Sequence, residues 1–225
     1  MCNLFSNTLP PEAMRQLFGV KRDQTGNQPS LPAVFPRHTA PVVRLTDDGE
    51  HELVPMHWGF LMPQVSKRTG KPIMPKAVNN ARDDKVQSSP FWRSSFTERH
   101  CLIPATSYCE AKGKAPATYY WFGLIGEEPR TPFAFAGLWR EFRGVYRNEQ
   151  VEFDTFTMLT TAPNSLVREV HPDRMPVILD ASEYGTWLNA GVSRATELLR
   201  PFDATRMRIV LSGQYAKSDE GVSGL

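Results

Sequence analysis

The sequence lacks the features of a secreted, membrane-spanning or disulfide-stabilised protein. It has three cysteines among 225 residues, and an odd, low count without an export signal is typical of a reducing compartment. No apolar run approaches the roughly 18 residues that a membrane span needs. The first residues show no basic segment followed by an apolar one. We therefore expect a soluble, cytoplasmic protein that makes no membrane contact.

A large excess of charge is also missing, as are the common cofactor motifs. The formal net charge is +2, so any nucleic-acid site must be a local basic patch. The sequence contains no glycine-rich phosphate loop and no dinucleotide fingerprint, and we expect no cofactor. Its cysteines lack the C-x-x-C spacing of a metal site. We therefore expect no metal, and we interpret Cys101 and Cys109 as core residues.

Proline and glycine, by contrast, are abundant, with 19 and 15 residues. They predict frequent turns and short strands. Apolar and β-branched runs predict strands at 40–46, 52–60, 101–110, 118–124, 133–142, 151–161, 175–179 and 207–211. Helical patterns fall at 12–18, 80–87, 91–96, 163–170, 181–189 and 193–199, irregular loops at 21–39 and 62–78, and a flexible polar tail at 214–225.

These elements predict a fold class and several local turns. Because strands follow one another without regular crossover helices, we expect one α+β domain over residues 1–225. Its core should be a largely antiparallel sheet or barrel, with short helices around it. Gly19 is expected to end the first helix, and the Asp47-Asp48-Gly49 turn to form a hairpin. Ser182 and Ser193 are candidate caps of the last two helices.

Cys2 directly follows the initiator methionine. A small residue in second position allows that methionine to be removed, which leaves an amine and a thiol on adjacent carbons. An α-amino group has a pKa of about 7.7–8.0, so part of it is neutral at pH 7. The amine can form an imine with an aldehyde, and the thiol can then close a thiazolidine ring. Because most cysteines in this position have no such role, support must come from other segments.

Three further segments carry polar side chains that suit this chemistry. They are Val78-Asn79-Asn80-Ala81-Arg82, Tyr108-Cys109-Glu110, and the segment from His171 through Arg174 to Pro176. Taken singly, an asparagine in a turn, a glutamate at a strand end and a histidine before proline are typical of ordinary surface structure. In this order after Met-Cys, they resemble the SOS-response-associated peptidase (SRAP) family, over Met1 to about Leu179.

Members of that family bind covalently to abasic sites in single-stranded DNA through the N-terminal cysteine. The resemblance implies that Cys2 is the nucleophile, Asn80 a polar anchor, and Glu110 and His171 an acid/base pair. It also implies autocatalytic removal of Met1 and some lyase activity. The implied partner is single-stranded DNA that contains abasic sites, bound by a monomer.

The expected DNA contacts lie in and near the matched segments. Arginine binds phosphate in a bidentate fork, which favours Arg82 and Arg174. Asn80, Thr160 and His171 are expected at the same site. Exposed cations at Lys67, Arg68 and Lys71 would add sequence-independent attraction. We interpret the tryptophans Trp58, Trp92 and Trp139 as buried residues rather than base-stacking ones.

The chain departs from the family pattern at several places. Asn3 and Leu4 stand where many members have Gly-Arg, and Ala111 where many have tryptophan. Asp83 and Asp84 add negative charge beside the expected phosphate site. Two alternatives therefore stay open: a cysteine or N-terminal-nucleophile peptidase that acts on proteins, and a non-catalytic single-stranded DNA-binding module. Peptide turnover in trans would favour the first, and salt-sensitive binding without an adduct the second.

Overall fold

The computed structural model describes residues 2–221. Within this range the strands are β1 (Phe5–Asn7), β2 (Arg22–Asp23), β3 (Leu31–Val34), β4 (Thr39–Leu45), β5 (His51–Trp58), β6 (Phe60–Val65), β7 (Pro72–Val78), β8 (Asn80–Arg82), β9 (His100–Ala105), β10 (Ser107–Lys112), β11 (Thr118–Leu124), β12 (Phe133–Tyr146), β13 (Glu149–Thr161), β14 (Met175–Pro176), β15 (Ile178–Leu179) and β16 (Met207–Gly213). The helices are α1 (Pro11–Phe18), α2 (Asp83–Val86), α3 (Pro90–Glu98), α4 (Ser165–Arg168), α5 (Tyr184–Leu188) and α6 (Val192–Leu198), with 3-10 turns at Ala181–Glu183 and Ala204–Arg206. The predicted α+β class, with short peripheral helices, is confirmed.

Five strands close into a barrel. β12 pairs antiparallel with β13 and β9, β9 with β4, and β4 with β5. β5 then returns to β13 in a parallel pair that sets Trp58 opposite Phe156. Closure leaves these strands without an exposed edge, which is how barrels avoid unpaired backbone groups. The rings of Trp58 and Phe156 are fully buried and stack 6.2 Å apart.

A second sheet carries the N-terminus against this barrel. Its strand order is β16, β11, β10, β1, β3, so β1 lies between β10 and β3. Phe5 of β1 stands opposite Tyr108 of β10 and Val34 of β3. Its ring contacts Trp58 at 5.1 Å, edge to face. Burial of Phe5 between two sheets therefore fixes the segment just before it, which contains Cys2.

Several local predictions are confirmed, and their chemistry is visible in the backbone. α1 ends at Gly19, which adopts the left-handed conformation (φ 60°) that favours glycine. The hairpin between β4 and β5 turns at Gly49 (φ 80°). Cys101 and Cys109 are buried, as predicted. Trp58 and Trp92 are buried too, and Trp139 is half-buried beneath the guanidinium of Arg44.

The predicted strand 101–110 is wrong because the chain changes sheet within it. β9 belongs to the barrel and β10 to the second sheet, with Thr106 between them. The Thr106 N–H donates to the carbonyl of Ser6 instead of continuing the barrel ladder. A continuous apolar run does not reveal such a change, because both sheets bury this segment.

The two predicted loops are also wrong in part. Segment 21–39 contains β2 and β3, and segment 62–78 contains most of the β6–β7 hairpin. The prolines and lysines of this hairpin break the alternation of apolar residues that predicts a strand. Its two strands pair through backbone hydrogen bonds rather than through an apolar face. The helical turn expected at 80–87 begins only at Asp83, since Asn80–Arg82 forms β8 beside β13.

The predicted serine caps are wrong as well. Asp180 is the residue before the 3-10 turn, and its N–H donates to the Glu183 carboxylate. Gly191 precedes α6. Each serine lies two residues after the N-cap position, inside the first turn, where its side chain cannot serve the free N–H groups that a cap satisfies.

The described part of the segment expected to be a flexible tail is docked. Asp219 is 2% exposed, and its carboxylate accepts hydrogen bonds from Arg130 (2.7 Å) and Ser107 (2.5 Å). The chain is therefore anchored at Asp219, and residues 222–225 of the predicted tail lie outside the described residues. Between residues 2 and 221, no helix is long and apolar enough to cross a membrane.

Candidate active site

Cys2 is fixed through its backbone. Its carbonyl oxygen accepts hydrogen bonds from the side-chain amides of Asn80 (2.8 Å) and Asn79 (3.2 Å). Asn80 is available for this contact because β8 pairs with β13, opposite Met158. The Asn79 carbonyl is itself bound by the Trp58 indole N–H at 2.9 Å. The amides of Asn80, on β8, and of Asn79, directly before it, therefore hold the Cys2 carbonyl in place.

The Cys2 thiol is buried and protonated. It is fully buried, and its Sγ donates to the carbonyl of Leu4 at 3.4 Å. Burial raises the pKa of Cys2 well above its ordinary value, and the nearby Glu110 carboxylate raises it further. Because the thiolate is the reactive form of cysteine, this thiol is a poor first nucleophile near neutral pH.

Asn80 has one hydrogen-bonding atom to spare. The residue is buried, and its amide nitrogen binds Cys2. Its Oδ1 atom has no hydrogen-bond partner among the described residues. A buried acceptor without a donor costs about 1–3 kcal/mol. The oxygen can accept a hydrogen bond from a group that arrives later, such as a hydroxyl.

Glu110 sits in the second sheet, on β10 opposite Tyr120 of β11. It is only 4% exposed. Burial raises the pKa of Glu110 to about 7. A carboxyl group with such a pKa is partly ionised at neutral pH, so it can both accept and return a proton.

His171 follows α4 and has a defined ring orientation. Its backbone N–H donates to the Val167 carbonyl at 2.8 Å. Its Nδ1 atom accepts from the Arg174 backbone N–H at 3.3 Å, which assigns the proton of the neutral ring to Nε2. Burial lowers the pKa of His171 below its ordinary value, so the ring is neutral at pH 7.

Glu110 and His171, far apart in sequence, line one cavity of about 380 Å³. The cavity is lined by Asn3, Leu4, Phe35, Cys109, Glu110, Ala111, Tyr119 and His171. Asn3 and Leu4, which directly follow Cys2 in the chain, therefore form the part of the cavity wall next to Cys2. A second cavity of about 430 Å³ shares His171 and is lined by Arg82, Asp173 and Arg174. The predicted acid/base pair and the predicted phosphate-binding arginines meet at His171.

The two predicted phosphate-binding arginines are already ion-paired. Arg174 donates to Asp83 at 2.6 Å, and also to the backbone carbonyl of Thr160. Arg82 pairs with Asp84 at 2.7 Å. These carboxylates lower the positive potential that a phosphate would meet. The acidic residues noted in the sequence thus act directly on the expected DNA contacts.

Thr160 is placed differently from the other predicted contacts. It is fully buried, and its hydroxyl donates to the Ala81 carbonyl at 3.3 Å. Its backbone carbonyl oxygen accepts a hydrogen bond from the Arg174 guanidinium. Thr160 therefore positions Arg174 and the strand β8, and its side chain does not face the cavity.

The basic residues of segment 62–78 lie apart from the cavities. Lys67, Arg68 and Lys71 are exposed at the turn between β6 and β7. This hairpin leads directly into Asn79 and Asn80 through the end of β7 at Val78. It is therefore a basic projection joined to the site rather than a part of its wall.

Sequence reasoning missed four residues near the site. Asn79 shares the Cys2 contact of Asn80, and the doubled asparagine in the sequence was its signal. Phe35 and Tyr119 contribute aromatic side chains to the cavity wall. Neither had a sequence signal, because each comes from a strand end or loop distant from the motifs. Tyr108, two residues before Glu110, is buried beside Phe122.

Comparison with known proteins gives both family and fold relatives. The sequence profile of the SOS response associated peptidase (SRAP) family matches residues 1–212. The chain is 31% identical over 167 residues to the abasic site processing protein YoqW of Bacillus subtilis. The aligned segment covers 72% of this chain and 70% of that protein. It is also 31% identical over 180 residues to the abasic site processing protein YobE of Bacillus subtilis, with 78% of each covered.

Two solved structures have the same fold. A protein from Bacteroides thetaiotaomicron superposes with a TM-score of 0.73 at 23% identity, over 92% of this chain and 90% of that one. A protein from Bordetella bronchiseptica superposes with a TM-score of 0.72 at 25% identity, over 94% and 98%. The barrel with its attached second sheet is thus a shared architecture.

Proposed function

Because the chain belongs to the SOS response associated peptidase (SRAP) family, we propose that it processes abasic sites in single-stranded DNA. The proposed product is a covalent thiazolidine crosslink to Cys2 after Met1 has been removed. The observation that carries this proposal is the double amide contact on the Cys2 carbonyl, beside a cavity that contains Glu110 and His171. The relatives YoqW and YobE are named for the same process.

The reaction begins with the amine, because the thiol is buried and protonated. Hydrolysis of the Met1–Cys2 peptide bond frees the α-amino group. The neutral amine attacks the aldehyde carbon of the opened abasic sugar, and loss of one water gives an imine. The thiol then adds across the C=N bond: sulfur bonds to carbon, and the thiol proton goes to nitrogen. The net change is aldehyde plus aminothiol to thiazolidine plus one water.

Glu110 and His171 divide the proton transfers in this scheme. Glu110, with its pKa of about 7, accepts the ammonium proton of the Cys2 amine and makes the amine nucleophilic. His171 is neutral and presents the protonated Nε2 atom. Its Nε2–H group donates a hydrogen bond to the ring oxygen, and as the sugar opens this oxygen takes up the proton that the anomeric hydroxyl releases. The same group later hydrogen-bonds to the departing water. The free Oδ1 atom of Asn80 accepts from a hydroxyl of the sugar or from the amine.

The same residues account for two further activities. Glu110 next to Cys2 can promote cleavage of the Met1–Cys2 bond within the chain, which is the sense in which the family is called a peptidase. An imine at the sugar also acidifies the adjacent carbon, so β-elimination of the 3′ phosphate competes with ring closure. Rapid addition of the thiol protects the DNA strand from that cleavage.

DNA binding in this proposal relies on Arg82 and Arg174, with Thr160 acting indirectly through Arg174. A phosphate competes with Asp83 and Asp84 for these guanidinium groups. The exposed cations Lys67, Arg68 and Lys71 add attraction that does not depend on sequence. We expect binding that is strongly weakened by salt.

The test is a denaturing gel with an abasic single-stranded oligonucleotide. The native protein should give a stable, slowly migrating band. Cys2→Ser, which retains the amine but not the thiol, should give a band only after reductive trapping of the imine. Cys109→Ala is the matched control, since Cys109 lines the cavity but has no amine, and should crosslink normally. A stable band from Cys2→Ser, without trapping, would refute the thiazolidine.

The buried, protonated thiol disfavours the alternative of a cysteine peptidase that acts on other proteins, because such enzymes need a thiolate. The non-catalytic DNA-binding module remains the outcome if neither a stable nor a trapped adduct forms.

A further inference from the structure

Tyr108 lies on the same face of β10 as Glu110. Side chains two residues apart on a strand point to the same side, with their Cα atoms about 6.6 Å apart. The Tyr108 ring is fully buried, stacks on Phe122 at 5.2 Å and meets Phe135 edge to face at 5.8 Å. Across the sheet it stands opposite Phe5, three residues after Cys2. Tyr108 therefore forms part of the floor beneath Cys2 and Glu110.

The Tyr108 hydroxyl is a buried polar group without a partner. Among residues 2–221 no atom accepts or donates a hydrogen bond to it. Buried hydroxyl groups almost always have such a partner, because losing water without compensation is unfavourable. Phenylalanine would fill the same space and make the same ring contacts without that penalty. The hydroxyl therefore calls for an explanation outside packing.

The titratable groups around this hydroxyl indicate which of them can become its hydrogen-bond partner. Burial raises the pKa of Tyr108 well above its ordinary value, and the Glu110 carboxylate and Cys2 raise it further. The phenol is thus a permanent donor near neutral pH. Other titratable groups near Glu110 are Cys109 and His171 in the cavity wall, together with Tyr119 there and Lys112 on its own strand. The Lys112 ammonium is bound to the Glu169 carbonyl at 2.6 Å.

We propose that Tyr108 is a positioning residue, whose hydroxyl donates a hydrogen bond to the Glu110 carboxylate in the reactive, Met1-free enzyme. The proposal rests on the proposed function, because it concerns the state in which Glu110 handles the Cys2 amine. The two Cα atoms are about 6.6 Å apart on one strand face, and the Glu110 side chain has several rotatable bonds about which it can turn toward the phenol. The hydrogen bond stabilises the ionised carboxylate and orients its second oxygen toward the amine.

This role has a consequence that packing alone does not produce. A hydrogen bond to the charged form of an acid lowers its pKa. Without the phenol, the Glu110 carboxylate ionises at a higher pH, so the acid limb of the pH–rate profile moves upward. Above that limb both proteins have an ionised carboxylate, and their rates converge.

The experiment compares Tyr108→Phe with the native protein and with Tyr184→Phe. Tyr184 is a matched control: it is buried on α5 beside Phe18 and is remote from the cavity. Loss of Met1 is first verified by intact mass for each protein. Single-turnover crosslinking at saturating abasic oligonucleotide is then measured from about pH 5 to about pH 9.

For Tyr108→Phe we expect the acid limb to move up by about one pH unit, which is about a tenfold slower rate on the acid side. Its affinity for the oligonucleotide should be unchanged, because Tyr108 acts on the Glu110 carboxylate and not on the DNA. Tyr184→Phe should keep the native profile. A Tyr108→Phe profile that superimposes on the native one would overturn the inference while leaving the proposed function intact.

A double-mutant cycle with Glu110→Gln provides the second test. If Tyr108 acts through Glu110, Tyr108→Phe should slow crosslinking in the native background and have no further effect in Glu110→Gln. Equal slowing in both backgrounds would overturn the inference. Absence of any adduct from the native protein would overturn both this inference and the proposed function.

Discussion

The side-chain amide of Asn80 donates a hydrogen bond of 2.8 Å to the carbonyl oxygen of Cys2. Asn80 belongs to a short strand paired with the barrel, and Cys2 precedes the strand β1 of the second sheet. One hydrogen bond thus joins the segment before β1 to a strand that is paired with the barrel. An N-terminal residue is ordinarily free to move, and a nucleophile that moves loses the advantage of orientation.

The first prediction concerns this contact. Asn80→Ala removes the shorter hydrogen bond to Cys2 and should slow crosslinking more than Asn79→Ala, which removes the longer one. A typical hydrogen bond contributes about 0.5–1.5 kcal/mol, so we expect crosslinking to be slowed about 2- to 13-fold in Asn80→Ala. Single-turnover rates decide, with the exposed Asn189→Ala as the control. Equal, native rates in both asparagine variants would contradict the assigned role.

The second prediction separates the acid/base residues. Glu110→Gln should slow imine formation and Met1 removal, whereas His171→Ala should slow crosslinking but leave Met1 removal intact. Acid–base groups typically contribute about 10²–10⁴-fold. The measurement combines a crosslinking time course at saturating DNA with N-terminal mass analysis of each variant. If both variants crosslink at the native rate, the cavity is not the reactive site.

The third prediction concerns stability and pH. Glu110 ionises at about pH 4.3 in an unfolded chain and at about 7 in the folded protein. Between these values the folded state binds the additional proton, so stability falls as pH rises through this window. The loss is at most on the order of 4 kcal/mol, because each unit of pKa difference corresponds to about 1.4 kcal/mol.

The difference between native protein and Glu110→Gln isolates this contribution from other titrating groups. Denaturant unfolding should show the native protein losing stability relative to Glu110→Gln as pH increases from about 4 to about 8. The exposed Glu220→Gln should track the native curve. Parallel curves for the native protein and Glu110→Gln would show that Glu110 has an ordinary pKa.

The fourth prediction concerns the ion-paired arginines. Asp83→Asn releases Arg174 from its 2.6 Å partner and should tighten single-stranded DNA binding, with a steeper salt dependence. Arg82→Ala should weaken binding and flatten the logarithmic salt slope by about 0.7, the value for one phosphate contact on a single strand. Titrations at several salt concentrations measure both. Arg194→Ala, a surface arginine paired with Glu197 on α6, should change neither.

Motif order picked out a group of residues that the structure places near one another, but it did not show what surrounds them. Cys2, Asn80, Glu110 and His171 were identified through motif order, and the structure brings them to Cys2 or to the adjoining cavity. The motifs could not show that Thr160 faces away, because its burial follows from strand register beside β8. They also could not show how Asp83 pairs with Arg174, since 91 residues separate the two.

Prediction of the fold was reliable where local chemistry decides the backbone. Gly19 and Gly49 occupy left-handed positions that their residue type favours. It failed at Thr106, where tertiary pairing alone decides which sheet the chain follows. It failed again at the β6–β7 hairpin, since backbone pairing there overrides a proline-rich, lysine-rich composition.

The most direct test of the central claim is the intact mass of the adduct formed with an abasic single-stranded oligonucleotide. The account predicts the mass of the chain without Met1, plus the oligonucleotide, minus one water. A protein extended before Cys2 and verified as uncleaved should give no adduct, because its nitrogen is tied up in a peptide bond. An adduct that retains Met1, or a normal rate from the uncleaved extended protein, would contradict the aminothiol chemistry of Cys2.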